Sequence, residues 1–230
     1  TVEFAFGGLG LNKSCKLPTN LLYNLKNYAP GGSSTGAATS VFSGLAPLSV
    51  GTDTAGSIRI PAAWHSLTGF KPSSGMISIN GVLPLSKSYD TVGTICKTVK
   101  DTKILFSILS NKKNNQELDF FKKIRIGFVY DFNFNQLDNY SKRKIELLNS
   151  RIAKLGIYID NIKVPEFMEI NDFFHSHGSL VNYEAWRNWK NILENNLNFI
   201  DPNVADRFLI GKNMTNKTIN KLRKKVKFLK

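Results

Sequence analysis

Hydrophobic positions along the chain change character near residue 110. Between Asn139 and Leu155, the side chains of Ile145, Leu147, Leu148, Ile152 and Leu155 fall on one helical stripe. Gly156 follows where a helix-ending glycine belongs. Alternating apolar residues on either side, in Lys123–Tyr130 (KIRIGFVY) and Ile157–Val164 (IYIDNIKV), predict two strands. Strand, helix and strand with short joints predict a βαβ-like unit with parallel pairing and a right-handed crossover. From Phe167 to Leu197 the period is helical, with Phe173, Leu180, Tyr183, Trp186, Trp189 and Ile192 on one side. That stripe reads first as core and second as the wall of a substrate pocket. Asp206–Gly211 and Thr215–Lys230 are expected to finish as helices, the last of them amphipathic through Leu222, Val226 and Leu229.

The first half obeys different rules. Residues 31–98 are rich in Gly, Ser, Thr, Ala and Pro and poor in charge. Ala37, Ala38, Val41, Phe42 and Leu45 fit a helix of small residues, and Leu48–Val50 fits a short buried strand. Gly51–Thr54 is expected to form a tight turn, after which Gly56–Ile58 opens another helical stretch. The best linker candidate is Asn111–Glu117 (NKKNNQE). Thr1 is not a methionine, Val2–Phe6 reads as the interior of a folded element, and Lys221–Lys230 runs on without a stop signal. The expectation is therefore a piece of a longer protein.

Composition narrows the function classes. The chain has 230 residues, 42% of them hydrophobic and 21% charged, as in ordinary globular proteins. No apolar run reaches the length of a membrane span, so a membrane partner is not expected. Basic residues outnumber acidic ones 31 to 17, for a net charge of +14. Yet 24 of the 31 are Lys and only 7 are Arg, the residue suited to bidentate phosphate contacts. Asn also occurs 24 times, and Lys with Asn is what A/T-rich codons encode. Most of the charge lies beyond residue 98, and +6 of it lies in Lys221–Lys230. It reads as a solvated helix face ahead of a nucleic-acid surface. Cys15 and Cys96 are too few for a disulfide framework and suit reduced thiols in a cytoplasmic protein. His175 and His177, two positions apart, point to different faces of a helix, and only His65 remains, so no metal site is expected.

The chemistry is concentrated in residues 31–61 (GGSSTGAATSVFSGLAPLSVGTDTAGSIRIP), which hold six glycines in their first 26 positions. Backbone N–H groups converging around Thr54–Ser57 at a helix start would make an anion site, or an oxyanion hole beside a serine hydroxyl. GGSSTG lacks the Gly-Lys-Ser/Thr ending of a phosphate loop, and Ser57 does not sit in a G-x-S-x-G elbow. Three histidines give little support to a histidine-based triad.

The blocks GGSSTG (31–36), GTDTAGSIRIPAA (51–63), GFKPSSG (69–75), GVLPLSKSYDTVG (81–93) and TVKD (98–101), preceded by EFAFGGLGLN (3–12), resemble the amidase signature family. The resemblance is strong over residues 1–101 and weaker to the end. It implies an α/β fold: an α/β/α sandwich with a mixed central sheet flanked by helices, of which this chain is a partial domain. Residues 1–110 would be the signature core, and 111–230 the βαβ-like unit with its helices. It also implies a Ser–cis-Ser–Lys triad that hydrolyses amides without metal or organic cofactor. Ser57 matches the nucleophile. Ser33, 24 positions upstream, matches the cis-serine, with a cis Gly32–Ser33 peptide. The lysine belongs to sequence upstream of Thr1, and Lys71 matches a structural block instead. The backbones of Thr54, Ala55, Gly56 and Ser57 match the oxyanion hole. Ser34, Asp53 and Arg59 match supporting groups, with recognition of a substrate carboxylate as a second role for Arg59. The implied partner is a small-molecule amide, and a homodimer is compatible. The glutaminase subunit of a tRNA-dependent amidotransferase shares the signature and would add other subunits and tRNA, though Ile60 stands where that protein has Gln. A non-catalytic, truncated relative is the third alternative. Thr35 and Ala55 stand where many members have Gly, and Trp64-His65 replaces a smaller pair. His65 reads as a packed histidine.

Overall fold

The computed structural model describes residues 3–11, 20, 22, 28–111, 124–129, 137–166 and 178–228. Cys15, Phe173, His175, His177, Leu229 and Lys230 lie outside them. The chain divides into two compact units, Thr1–Asn114 with Gly178–Lys230, and Asn115–His177. The helices after residue 178 thus group with the N-terminal part.

The first unit is built on a three-stranded antiparallel sheet in the order β1-β3-β2. Its strands are β1 (Leu48–Asp53), β2 (Thr68–Phe70) and β3 (Thr91–Cys96). All six residues of β3 are buried, because it is paired on both edges. Helices α1 (Thr35–Phe42) and α2 (Arg59–Trp64) bring Ala38 and Ala62 against Ile58 and Ile95 in a small core. Helix α3 (Val99–Ser110) follows β3, and Thr98 caps its first turn by accepting from the Asp101 N–H.

The strand expected at Leu48–Val50 runs on to Asp53, so Gly51–Asp53 is strand and not turn. It is also less buried than expected: Val50 is exposed, as is Leu45, which lies beyond the end of α1.

Gly51 faces Gly93 across the β1–β3 ladder. A Cβ at Gly51 would lie 2.8 Å from Ser34 Oγ and 3.2 Å from Ile58 Cγ1; one at Gly93 would lie 2.9 Å from Ile58 Cδ1. The glycine pair leaves a hollow that Ile58 fills completely, which seats the residue after Ser57 on the sheet.

A second core in this unit gathers Phe6, Leu85, Ala185, Trp186, Leu193, Val204 and Phe208. It is formed by α5 (Leu180–Leu193) and α6 (Pro202–Lys212), with α7 (Asn216–Phe228) behind. Phe4 and Phe6 meet Phe208 edge-on at 5.3 and 5.2 Å between ring centres. Ser179 and Asn182 close a capping box at the start of α5. Asp201 with Pro202 starts α6 four residues before the expected Asp206. The aromatic stripe is core at Leu180 and Trp186, but Ile192 is exposed and the fully buried position is Leu193.

The second unit contains the expected βαβ arrangement, with β4 (Arg125–Val129) and β5 (Tyr158–Ile162) parallel around α4 (Asn139–Lys154). Gly156 takes a φ of 75° just past the helix, as a C-terminal cap requires. The apolar stripe of α4 is only partly covered among the described residues: Leu147, Leu148 and Leu155 are exposed.

Candidate active site

The serine loop Gly31–Ser34 is held by backbone. The Gly31 N–H donates to the Leu9 carbonyl at 3.0 Å, and the Gly32 N–H to that of Gly8 at 2.7 Å. A Cβ at Gly32 would stand 2.3 Å from the Gly7 carbonyl oxygen, so only glycine fits. The GGLG and GGSS blocks are therefore two sides of one contact. The Gly32–Ser33 peptide is cis. Ser33 is fully buried. Thr35 keeps the loop closed, its hydroxyl donating to the Gly31 carbonyl at 2.7 Å.

Ser34 joins this loop to the turn that carries Ser57. Its N–H donates to the Ser57 carbonyl at 3.1 Å. Its hydroxyl donates to the Thr52 carbonyl at 3.1 Å and lies 3.2 Å from the Thr52 N–H, which donates back to it. The loop and the turn are thus one hydrogen-bonded body, with Ser57 half-buried and Ala55 exposed.

Asp53 organises the turn from below. Its carboxylate, with no exposed surface, accepts from the N–H of Gly56 at 2.7 Å and of Ile58 at 3.2 Å. Arg59 adds a two-pronged contact, Nε at 3.0 Å and a terminal nitrogen at 3.1 Å. Burial alone would raise the Asp53 pKa. The Arg59 hydrogen bond, the two N–H donors and the Arg59 charge outweigh it and hold the carboxyl below the usual carboxylate range. The same hydrogen bond raises the Arg59 pKa. Gly56 takes a φ of 116°, which lets the turn fold back on Asp53. Ala55 needs no such freedom, since the positive-φ residues other than glycine among those described are Phe4, Ala5, Ser66 and Asn111. The Gly56 N–H is engaged by Asp53, whereas no hydrogen bond among the described residues takes the N–H of Thr54, Ala55 or Ser57.

Two neighbours stand apart from this body. Lys71 donates its ammonium to the Pro72 carbonyl at 2.8 Å. His65 is fully buried, with Nδ1 2.9 Å from the Pro61 carbonyl and its ring edge-on to Phe42.

Beside the turn lies a cleft of about 850 Å³. Ser34, Gly51 and Thr52 line it together with Val82, Leu83, Pro84 and Trp189; Ser33 and Ser57 are not among its lining residues. Trp189 therefore belongs both to the aromatic core and to the cleft wall. Its indole N–H donates to the Pro84 carbonyl at 2.7 Å while its ring meets Phe4 at 5.1 Å. Replacing Trp189 with Phe is expected to lose that bond and part of the ring packing and to lower stability by about 1–3 kcal/mol. A chemical-denaturation midpoint reads this, and an unchanged midpoint counts against the bond. Asp90, Glu184 and Trp189 hold the 82–90 segment in place, and neither carboxylate was among the expected site residues. The only sequence signal for Asp90 is its place in the GVLPLSKSYDTVG block.

The sequence profile of the family described as Amidase matches residues 2–226. The chain belongs to the amidase family. Among curated relatives, a 2-amino-5-chloromuconic acid deaminase from Comamonas testosteroni is 33% identical over 90% of this chain and 45% of its own length. An indoleacetamide hydrolase from Pseudomonas syringae pv. syringae is 39% identical over 74% of this chain and 37% of its own. From Lactococcus lactis subsp. cremoris, the A-type component of a glutamyl-tRNA(Gln) amidotransferase is 34% identical over 71% and 36%. A solved structure described as an amidase superposes with a TM-score of 0.86 at 29% identity, covering 97% of this chain and 50% of that one. The α/β fold is thus the amidase-signature fold, and this amidase-family chain spans at most about half the length of these relatives. Among the described residues no helix is long and apolar enough to cross a membrane.

Proposed function

We propose that this chain carries the serine pair of an amidohydrolase, which cleaves a carboxamide C–N bond through an acyl-enzyme on Ser57 and releases ammonia or an amine. The observation that carries the reading is the joining of the Ser33–Ser34 loop to Ser57 by backbone hydrogen bonding, in a chain of the amidase family. In the proposed reaction Ser33 Oγ accepts the Ser57 proton and passes its own to the lysine that the family resemblance implies. Ser57 Oγ bonds to the carbonyl carbon, the C–N bond breaks, and the relay returns the proton to the leaving nitrogen. Water, deprotonated by the same relay, then cleaves the ester and restores the Ser57 hydroxyl.

The proposed oxyanion donors are the N–H groups of Thr54, Ala55 and Ser57, each worth roughly 3–4 kcal/mol to the tetrahedral intermediate. Gly56 belongs to the same hole as the residue whose φ shapes it, its own N–H being held by Asp53. Ser34, Asp53 and Arg59 are supporting groups that fix the loop and the turn. The scheme uses protein groups and water alone.

A small carboxamide with an apolar acyl part suits the cleft beside Ser34, whose lining includes Val82, Leu83, Pro84 and Trp189. A cytoplasmic location belongs to this reading. The relation to the amidotransferase component favours a second one, glutamine hydrolysis in concert with partner subunits and tRNA. The test is ammonia and amine release by the full-length protein from aryl, alkyl and glutamine amides, with hydroxylamine added to trap the acyl-enzyme as a hydroxamate. Release with hydroxamate formation is the expected result. Release from glutamine only in the presence of partner subunits selects the second reading. No release from any amide overturns both.

A further inference from the structure

We infer that Asp90 is a positioning residue for the oxyanion turn, acting through the Thr54 hydroxyl, and that helix α5 holds Asp90 in place through Glu184. The inference rests on the amidohydrolase reading above.

Thr54 is the first residue after β1, and Asp90 the last before β3. The register of the ladder pairs Asp53 with Thr91, so the two carboxylates Asp53 and Asp90 stand at the same end of neighbouring strands. Asp53 holds the turn through Gly56, Ile58 and Arg59. Asp90 holds its first residue, because the Thr54 hydroxyl donates to Asp90 Oδ1 at 2.5 Å. Among the described residues this is the one side-chain bond that holds Thr54, whose own N–H is a proposed oxyanion donor.

Asp90 is itself tightly fixed. It is 7% exposed, and its Oδ2 accepts from the Leu85 N–H at 2.9 Å and the Ser86 N–H at 3.0 Å. Its own N–H donates to the Ser86 carbonyl at 2.8 Å. Ser86 is in turn fully buried and donates its hydroxyl to Glu184 Oε2 at 2.7 Å. Glu184 also takes the Ser88 hydroxyl at 2.7 Å and the Ser88 N–H at 3.1 Å. One helical turn further along α5, Asn188 donates to the Leu85 carbonyl at 3.0 Å. A continuous line of hydrogen bonds therefore runs from α5 through the 85–90 segment to the turn. The same segment begins at the cleft wall, Val82–Pro84. A charged acceptor is suited to this post: it satisfies two N–H groups and a hydroxyl at once in a dry site, which a neutral amide does less well.

Small displacements of an oxyanion donor are costly to the reaction and nearly neutral to ground-state binding. Thr54→Val removes the hydroxyl and keeps the shape and the N–H. In the full-length enzyme it is expected to lower kcat about tenfold or more, with KM within about twofold. Phosphonylation of Ser57 by a fluorophosphonate, whose P=O occupies the same hole, is expected to slow in parallel. Thr54→Ser restores the hydroxyl and is expected to return kcat to within about threefold. Asp90→Asn is expected to resemble Thr54→Val, and the double variant to be no worse than either single one, because both cut the same link.

An active wild type in which Thr54→Val keeps its kcat and phosphonylation rate overturns the inference alone. So does a double variant whose losses multiply. A wild type that neither releases product from amides nor is phosphonylated at Ser57 overturns the underlying reading, and this inference with it. Should Asp90→Asn fail to fold, the Thr54 pair decides.

Discussion

Replacing Ser57 with alanine is expected to reduce amide turnover by about ten-thousandfold or more in the full-length enzyme while leaving its melting temperature within a few degrees. The two outcomes separate because the bonds that hold Ser57 are made by its backbone. Its carbonyl accepts the Ser34 N–H, and that contact survives the loss of Oγ. Ile58 stays seated in the Gly51–Gly93 hollow, and Asp53 still gathers Gly56, Ile58 and Arg59. What disappears is the atom proposed to become acylated. Ser33→Ala is expected to fall to a similar floor, and the double variant to fall no further, since both remove steps of the one proposed relay. The checks are kcat/KM on the best amide, hydroxamate trapping, and mass labelling of the Ser57 peptide by a fluorophosphonate. Turnover within tenfold of wild type in Ser57→Ala would remove the acyl-enzyme from the proposal.

Asp53→Ala is expected to cost about 3–5 kcal/mol of stability and to abolish activity. The Asp53 side chain has no exposed surface and is the common acceptor for three backbone N–H groups, of Gly56, Ile58 and Arg59, and one guanidinium. Its removal leaves buried donors without a partner, the most expensive way to break a network. Arg59→Ala is expected to cost far less, about 1 kcal/mol, because the Arg59 side chain is 53% exposed and its charge is screened by solvent. The pair also sets an acid limit. The folded-state pKa of Asp53 lies below its ordinary value of 3.8. The stability it contributes is therefore complete above that value and is lost as pH falls through the lower, folded one. Arg59→Ala removes the largest of the lowering influences, so the acid edge is expected to move to higher pH. Urea unfolding midpoints between pH 2 and 7 for wild type and Arg59→Ala measure this. An unmoved edge would show that the Arg59 contact does not lower the Asp53 pKa.

Several features of this chain are legible without coordinates because they arise from near neighbours. The helix over Asn139–Lys154 and its glycine cap follow from apolar spacing and from the αL freedom of Gly156. The parallel pairing of β4 and β5 follows from the short joints of a strand–helix–strand unit. Burial was less legible. Leu45, Val50, Leu147 and Leu148 are apolar and exposed, since periodicity reports which side a residue takes and not what covers that side. At the site, the serine pair and Asp53–Arg59 stood out through ordered blocks of residues. Asp90, although inside one of those blocks, and Glu184 did not stand out, because the groups they bind lie 36 and 98 positions away.

The family, the two serines, and the placing of the basic charge away from the near-neutral segment that bears them are all properties of the amino-acid order. They are carried by residue identity and short-range spacing, which need no fold to be read. How the pieces act on one another is a property of the folded chain. Folding set Gly51 opposite Gly93 so that Ile58 could seat the turn. It pressed the Gly7–Gly10 backbone against Gly32. It divided Trp189 between core and cleft, and brought Asp90 to Thr54. Each of these depends on strand register and helix packing between distant segments, where a shift of one residue would turn the same side chains to other partners.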